Sequence, residues 1–246
     1  MPARGAEPQG ATTEQSASHA VQSMFNEIAP RYDLLNHVLS ANIDRLWWWR
    51  TARVFRHVLR QPEATIVDLC CGTGDMTLAL LRHRPKLGAP VLAVDFAHEM
   101  LARGQRKFSA LGAIAIEADA LALPLAEDSA DLITTAFGFR NLANYAAGLQ
   151  EMYRVLRPGG EVGMLDFNEP GGIMGRLYQF YFRRVLPRIG TWISGTAGPY
   201  AYLPQSVHRF PAPSEMQAMM SAAGFRHISW TPYTFGIAGL YRAVKP

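Results

Sequence analysis

The spacing of apolar positions changes at Gln61-Pro62. Before it, Met24, Phe25 and Ile28 precede a break at Pro30, and Tyr32, Leu34, Leu35, Val38 and Leu39 follow. Ile43, Trp47, Val54 and Val58 come next. Apolar residues every third or fourth position mark one buried stripe, so two short helices are expected to lie across the rest of the chain. Beyond Pro62, short β-rich runs alternate with helix-like segments. Strands are expected at 65–70, 91–95, 113–117, 131–137 and 161–167, and helices at 76–82, 98–111 and 145–156. Near-continuous apolar strands separated by helices indicate a parallel sheet covered on both faces. Pro158-Gly159-Gly160 signals a turn before the fifth strand. Ser214-x-x-Gln217 is a capping-box pattern, and Gly224 is placed to end its helix. Two further strands, 225–231 and 237–244, complete a seven-stranded α/β pattern.

Met1 to Ala20 contains no Val, Ile, Leu, Phe, Trp or Tyr. It lacks the apolar region of a signal peptide and is expected to be a disordered tail, with residues 21–246 as one domain. That domain would carry an N-terminal helical lid at 21–60. Trp47, Trp48 and Trp49 point about 100° apart on a helix, so they cannot all face one ligand, and packing is their expected role.

Composition narrows the class. Of the 246 residues, 49% are hydrophobic and 18% charged, which excludes a disordered or fibrous chain. Cys70 and Cys71 are adjacent, a poor disulfide and no spaced metal-ligand pair, so a cytoplasmic, metal-free protein is expected. The net charge of +4 is unevenly placed. Pro170 to Ser214 holds Arg176, Arg183, Arg184, Arg188 and Arg209 with no acid, giving +5 there and −1 elsewhere. Glycines and prolines make the segment a poor membrane-spanning helix. An insertion at 170–213, rich in aromatic residues, is expected on the substrate or membrane side. It is equally readable as a helical pack on the sheet.

The candidate chemistry sits at strand ends. Asp68-Leu-Cys-Cys-Gly72-Thr73-Gly74-Asp75 runs from a strand through a glycine turn into a helix, which lets a ligand approach the main chain. Thr77 stands where a dinucleotide fingerprint needs its third glycine, and no phosphate-loop lysine is present, so a ligand with a ribose and without phosphates fits better. Asp95 closes the second strand, where a carboxylate can accept both ribose hydroxyls. Asp119 and Ala120 follow the third, placed for a nucleobase edge. A tight turn, a helix cap and a solvated loop are the bland alternatives for these three positions. Together they resemble the class I S-adenosylmethionine-dependent methyltransferases, a Rossmann-like fold. The resemblance implies Asp68, Gly72, Thr73 and Gly74 around the methionine portion, Asp95 on the ribose, and Asp119 and Ala120 by the adenine.

Longer elements are present in order: Ala29-Pro-Arg-Tyr32-Asp-Leu-Leu-Asn36, Ala136-Phe-Gly-Phe-Arg-Asn141, Glu151-Met-Tyr-Arg-Val-Leu-Arg-Pro-Gly-Gly160, Tyr200-Ala-Tyr-Leu-Pro-Gln-Ser206 and Arg209-Phe-Pro211. From about Val21 onward the chain is similar to the quinone-biosynthesis C-methyltransferase family. It departs from the family pattern at Leu35, where Met is usual, at Ala136, where Ser or Thr is common, and at Gly239-Leu-Tyr-Arg242. The resemblance implies S-adenosylmethionine-dependent C-methylation of a prenylated quinol held in the membrane. Demethylmenaquinol is the first substrate; the benzoquinol of the ubiquinone pathway, or another small molecule on the same fold, is the alternative.

It places Arg140 and Asn141 by the substrate ring. Arginine stays protonated and is a poor base, so Arg140 would hold a developing phenolate or a water, with Asn141 as its hydrogen-bonding partner. The alternative for Arg140 is an ion pair with Asp131 or Asp166. Tyr32 would belong to the lid, bordering the cofactor. A cytoplasmic protein, peripheral at the inner membrane face, is implied; monomer and homodimer are left open. A nucleic-acid base methyltransferase is disfavoured, because no Asn/Asp-Pro-Pro-Tyr/Phe follows the fourth strand and nothing suggests a nucleic-acid partner.

Overall fold

Two residues side by side in the first strand pack in different cores. Ile66 joins an apolar cluster with Trp47, Phe55, Leu59, Leu80 and Phe108, whereas Val67 joins another with Leu149, Met152, Val155, Met216 and Met220. Successive side chains on a strand point to opposite faces, so both faces of the sheet are covered. A computed structural model describes residues 5–8, 10–33, 40, 42–172, 175 and 198–246.

The strands are β1 (Ile66–Leu69), β2 (Val91–Asp95), β3 (Ala113–Glu117), β4 (Ala130–Ala136), β5 (Leu156–Phe167), β6 (Arg226–Tyr233) and β7 (Ala238–Val244). They form one seven-stranded sheet in the order β3-β2-β1-β4-β5-β7-β6. β1 to β5 pair in parallel, and β7 runs antiparallel between β5 and β6. The order reverses between β1 and β4, which is where open α/β sheets leave a crevice at the carboxyl ends of their strands.

The helices are α1 (Glu14–Ile28), α2 (Ile43–Val54), α3 (Arg56–Leu59), α4 (Asp75–Leu81), α5 (His98–Phe108), α6 (Tyr145–Val155), α7 (Gly198–Arg209) and α8 (Pro213–Ala222). Among the described residues, no helix is long and apolar enough to cross a membrane.

Four local expectations change. The disordered tail gives way at Glu14, because Thr13 and Ser16 cap α1 reciprocally and Ala17 and Val21 find buried places. An apolar-poor stretch can thus be helical when capped and docked. The Pro158-Gly159 turn lies inside β5 as an irregularity of the β4 pairing, with the Gly159 amide bonded to the Lys245 carbonyl. Ser214 is inside α8, whose N-cap is Ala212 and whose start is set by Pro213. The helix expected through Val58 breaks at Phe55, whose buried ring fills the space over Gly163. Leu34, Leu35, Asn36, Val38 and Leu39, and most of the basic segment with Arg176, Arg183, Arg184 and Arg188, lie outside the described residues.

Candidate active site

The cavity opens where β1, β2, β3 and β4 end. Its wall includes Cys70 to Thr73 after β1, Asp95 and Phe96 after β2, Ala118 to Leu121 after β3, and Ala136 to Gly138 with Asn141 to Ala143 after β4. Ser18, Phe25, Tyr32 and Trp48 close it from the N-terminal helices. Its empty space is about 960 Å³ with the open mouth included.

The loop after β1 turns sharply. Cys70, Gly72 and Gly74 all have positive φ, at 55°, 54° and 85°. At Gly72 a side chain would project toward open cavity, with only the Met100 Cε at 3.8 Å, so the glycine leaves the backbone accessible. Gly74 serves differently. It is the N-cap of α4, and a Cβ there would lie 2.4 Å from the Phe108 ring, so it packs the loop on α5 rather than lining the cavity. Thr73 is in the wall, and its hydroxyl donates to Asp33.

Asp68 lies beneath this loop, fully buried, and is not in the wall. The hydroxyls of Thr77 and Thr134 donate to it at 2.6 and 3.1 Å. Burial nevertheless pushes its carboxyl up to about 7. Thr77, the residue that spoils a dinucleotide fingerprint, is thus a partner for Asp68.

Asp95 is nearly buried in the wall, and one oxygen accepts the Gly72 amide at 2.7 Å and the other the Ala97 amide at 2.9 Å. Burial raises its carboxyl to about 6, with these amides opposing the shift. Asp119 and Ala120 both line the cavity. Asp119 is exposed and caps its own turn by accepting the Leu121 amide at 2.9 Å, and Ala120 is buried. Burial keeps the Cys70 and Cys71 thiols protonated.

Beyond β4, Asn141 lines the cavity and Arg140 does not. The Arg140 guanidinium is buried and paired with Asp166 at 3.0 Å, and also donates to the Phe137 carbonyl. The structural alternative weighed for Arg140 is therefore present, with Asp166 and not Asp131. Among the described residues its Nε finds no partner, nor does the Asn141 Oδ1. They are two of several buried polar atoms of this kind, and of the two only Asn141 belongs to the cavity wall. His208 pairs with Glu169 at 3.1 Å on the surface and is absent from the cavity wall.

The sequence reading missed the N-terminal latch. Asp33 takes both the Thr73 hydroxyl and the Lys107 ammonium, the Gln22 amide donates to the Phe96 carbonyl at 2.6 Å, and Asn26 accepts the Glu99 amide at 3.0 Å. It also missed Trp48, Phe96 and Met100 as wall residues. Phe96 adjoins Asp95 and was open to inference; the latch links residues too far apart in sequence to be seen.

A glycine loop at β1, a carboxylate at β2 and this strand order define a class I S-adenosylmethionine-dependent methyltransferase fold. A solved methyltransferase of that kind from Thermotoga maritima is 17% identical with a TM-score of 0.63, over 92% of this chain and 100% of that one. The chain belongs to the ubiE/COQ5 methyltransferase family, whose model matches residues 12–245. It is 47% identical over 226 residues to the demethylmenaquinone methyltransferase of Thermus thermophilus, covering 91% of this chain and all of that protein. The demethylmenaquinone methyltransferase of Deinococcus radiodurans is 45% identical, over 93% of each chain.

Proposed function

We propose that this protein methylates a ring carbon of demethylmenaquinol, with S-adenosylmethionine as methyl donor. The observation that carries the reading is the 47% identity to a demethylmenaquinone methyltransferase across that relative's whole length. The residues present fit the cofactor: the Gly72 backbone is open to close approach, Asp95 stands at the end of β2, and Asp119 and Ala120 stand at the end of β3. S-adenosylmethionine, when bound, supplies a methyl carbon whose bond to sulfur breaks as the bond to the ring carbon forms, and the ring hydrogen leaves as a proton.

The protein's share is alignment, exclusion of water and electrostatics; orientation alone can supply about 7–11 kcal/mol. Tyr32, Phe25 and Trp48 shield the cavity. The Asn141 Oδ1 accepts a quinol hydroxyl, and the charge of Arg140, buried behind the wall, favours that oxygen once its proton has left. Asp166 holds Arg140 charged and in place. The prenyl tail stays in the bilayer, and the composition of Pro170 to Ser214, basic and aromatic without acids, suits contact with that membrane.

The test supplies purified protein with S-adenosylmethionine and, in parallel, a short-tailed demethylmenaquinol and a short-tailed ubiquinone-pathway benzoquinol. Methyl transfer to the naphthoquinol, faster than to the benzoquinol, is expected. Transfer to the benzoquinol alone moves the enzyme to the ubiquinone pathway, and transfer to neither overturns the reading.

A further inference from the structure

The outer face of α2 is built unlike the surface of an ordinary soluble helix. Ile43, Leu46 and Trp49 are 37%, 50% and 41% exposed, and at helical spacing they fall on one side. Arg45, Arg50 and Arg53 are exposed on that same arc, while Asp44, Trp47, Trp48, Thr51 and Ala52 are buried on the other. From Ile43 to Arg60 the only acid is the buried Asp44, against five arginines.

A second element, distant in sequence, adds to this face. The turn Thr234–Gly236 meets α2 through a hydrogen bond from Trp47 Nε1 to the Thr234 hydroxyl at 2.8 Å, and the Arg50 guanidinium lies 4.3 Å from the Tyr233 ring centre. At the tip of that turn Phe235 is 79% exposed. It adopts φ 57°, a left-handed conformation that L side chains seldom take, so the backbone is strained where it presents a phenyl ring to the outside.

We propose that α2 and Phe235 form a docking face for an anionic lipid bilayer, with Leu46, Trp49 and Phe235 entering the interface and the arginines meeting headgroups. An apolar stripe among basic residues is the composition that binds membrane surfaces. A second copy of the chain is a poor occupant, because a two-fold contact would set these arginines against their own counterparts. Position supports the choice. Trp48, on the opposite side of α2, lines the cavity, so the helix that carries this face also walls the chamber. The partner rests on the quinol reading above, in which the substrate's tail lies in the bilayer. In sequence the face is also distinct from Pro170 to Ser214.

The experiment is sedimentation of the full chain with vesicles, without substrate, alongside methyl transfer to a short-tailed quinol in vesicle-free solution. The vesicles are either phosphatidylglycerol mixed with phosphatidylcholine or phosphatidylcholine alone. Wild type should bind the anionic vesicles, less so as salt rises. Trp49→Ala with Phe235→Ser should weaken that binding about tenfold or more by removing inserted apolar area. Arg45→Gln with Arg53→Gln should weaken it by roughly fivefold per arginine and flatten the salt dependence. Both pairs should keep wild-type turnover of the short-tailed quinol, which also reports that they fold. The proposal is overturned if wild type does not bind anionic vesicles, if these variants bind as wild type does while Arg183→Gln with Arg184→Gln does not, or if they only shift a dimer to a monomer. Loss of methyl transfer by wild type would instead strike the quinol reading and leave the vesicle result standing.

Discussion

The amide of Gly72 donates to Asp95 across 2.7 Å, so the carboxylate at the end of β2 holds the glycine loop at the end of β1. The link joins two parts of one site in the free protein. Ala97 uses the other carboxylate oxygen, at 2.9 Å. Asp95 therefore shapes the loop as well as lining the cavity.

Asp95→Ala should reduce S-adenosylmethionine affinity by about one to two decades, since hydrogen bonds to a charged group are worth roughly 1.5–3 kcal/mol. Calorimetry on the folded variant measures this. Affinity equal to wild type would remove Asp95 from the site.

Asp68 should set a pH dependence of stability. Its folded value of about 7 lies above the ordinary 3.8, so between roughly pH 4 and 7 the folded state holds more protons than the unfolded one. Stability from this group is thus greatest at low pH and falls as pH rises through that window, by on the order of 4 kcal/mol. Asp95 adds in the same direction up to about pH 6. Asp68→Asn should flatten the decline. Denaturant melts from pH 4.5 to 8 provide the check, and parallel pH profiles for variant and wild type would contradict it.

Arg140→Gln should cost about 3–5 kcal/mol of stability, because Asp166 is left buried without its partner. Pairing it with Asp166→Asn should restore much of that stability. Turnover in the double variant should stay below wild type if the Arg140 charge favours the deprotonated quinol oxygen. Recovery of turnover together with melting temperature would make Arg140 a purely structural residue.

Strand positions were legible because β1, β2 and β4 are nearly unbroken apolar runs, buried on both faces, and their ends located Gly72, Asp95 and Asn141. Asp68 and Gly74 were legible as important but not in their roles. One lies under the loop with Thr77 and the other against Phe108, and which side of a turn a residue faces depends on packing that spacing does not encode. Arg140 was open to both readings, and Asp166 became its partner because β5 lies beside β4. The helix from Glu14 was hidden, since its docking relies on caps and small residues rather than an apolar stripe.

The N-terminal helix has its own small apolar cluster, in which Ala29, Phe25 and Tyr32 meet Ala97, Met100 and Phe96, apart from the two cores that clothe the sheet. Besides the buried Ala17 and Val21, its contacts among the described residues through Glu14, Gln22, Asn26 and Asp33 are polar and can be exchanged for water. A cover fastened in this way can open as a separate sub-global event, far below the free energy of unfolding the whole protein. Amide hydrogen exchange along α1 measures that local opening equilibrium residue by residue.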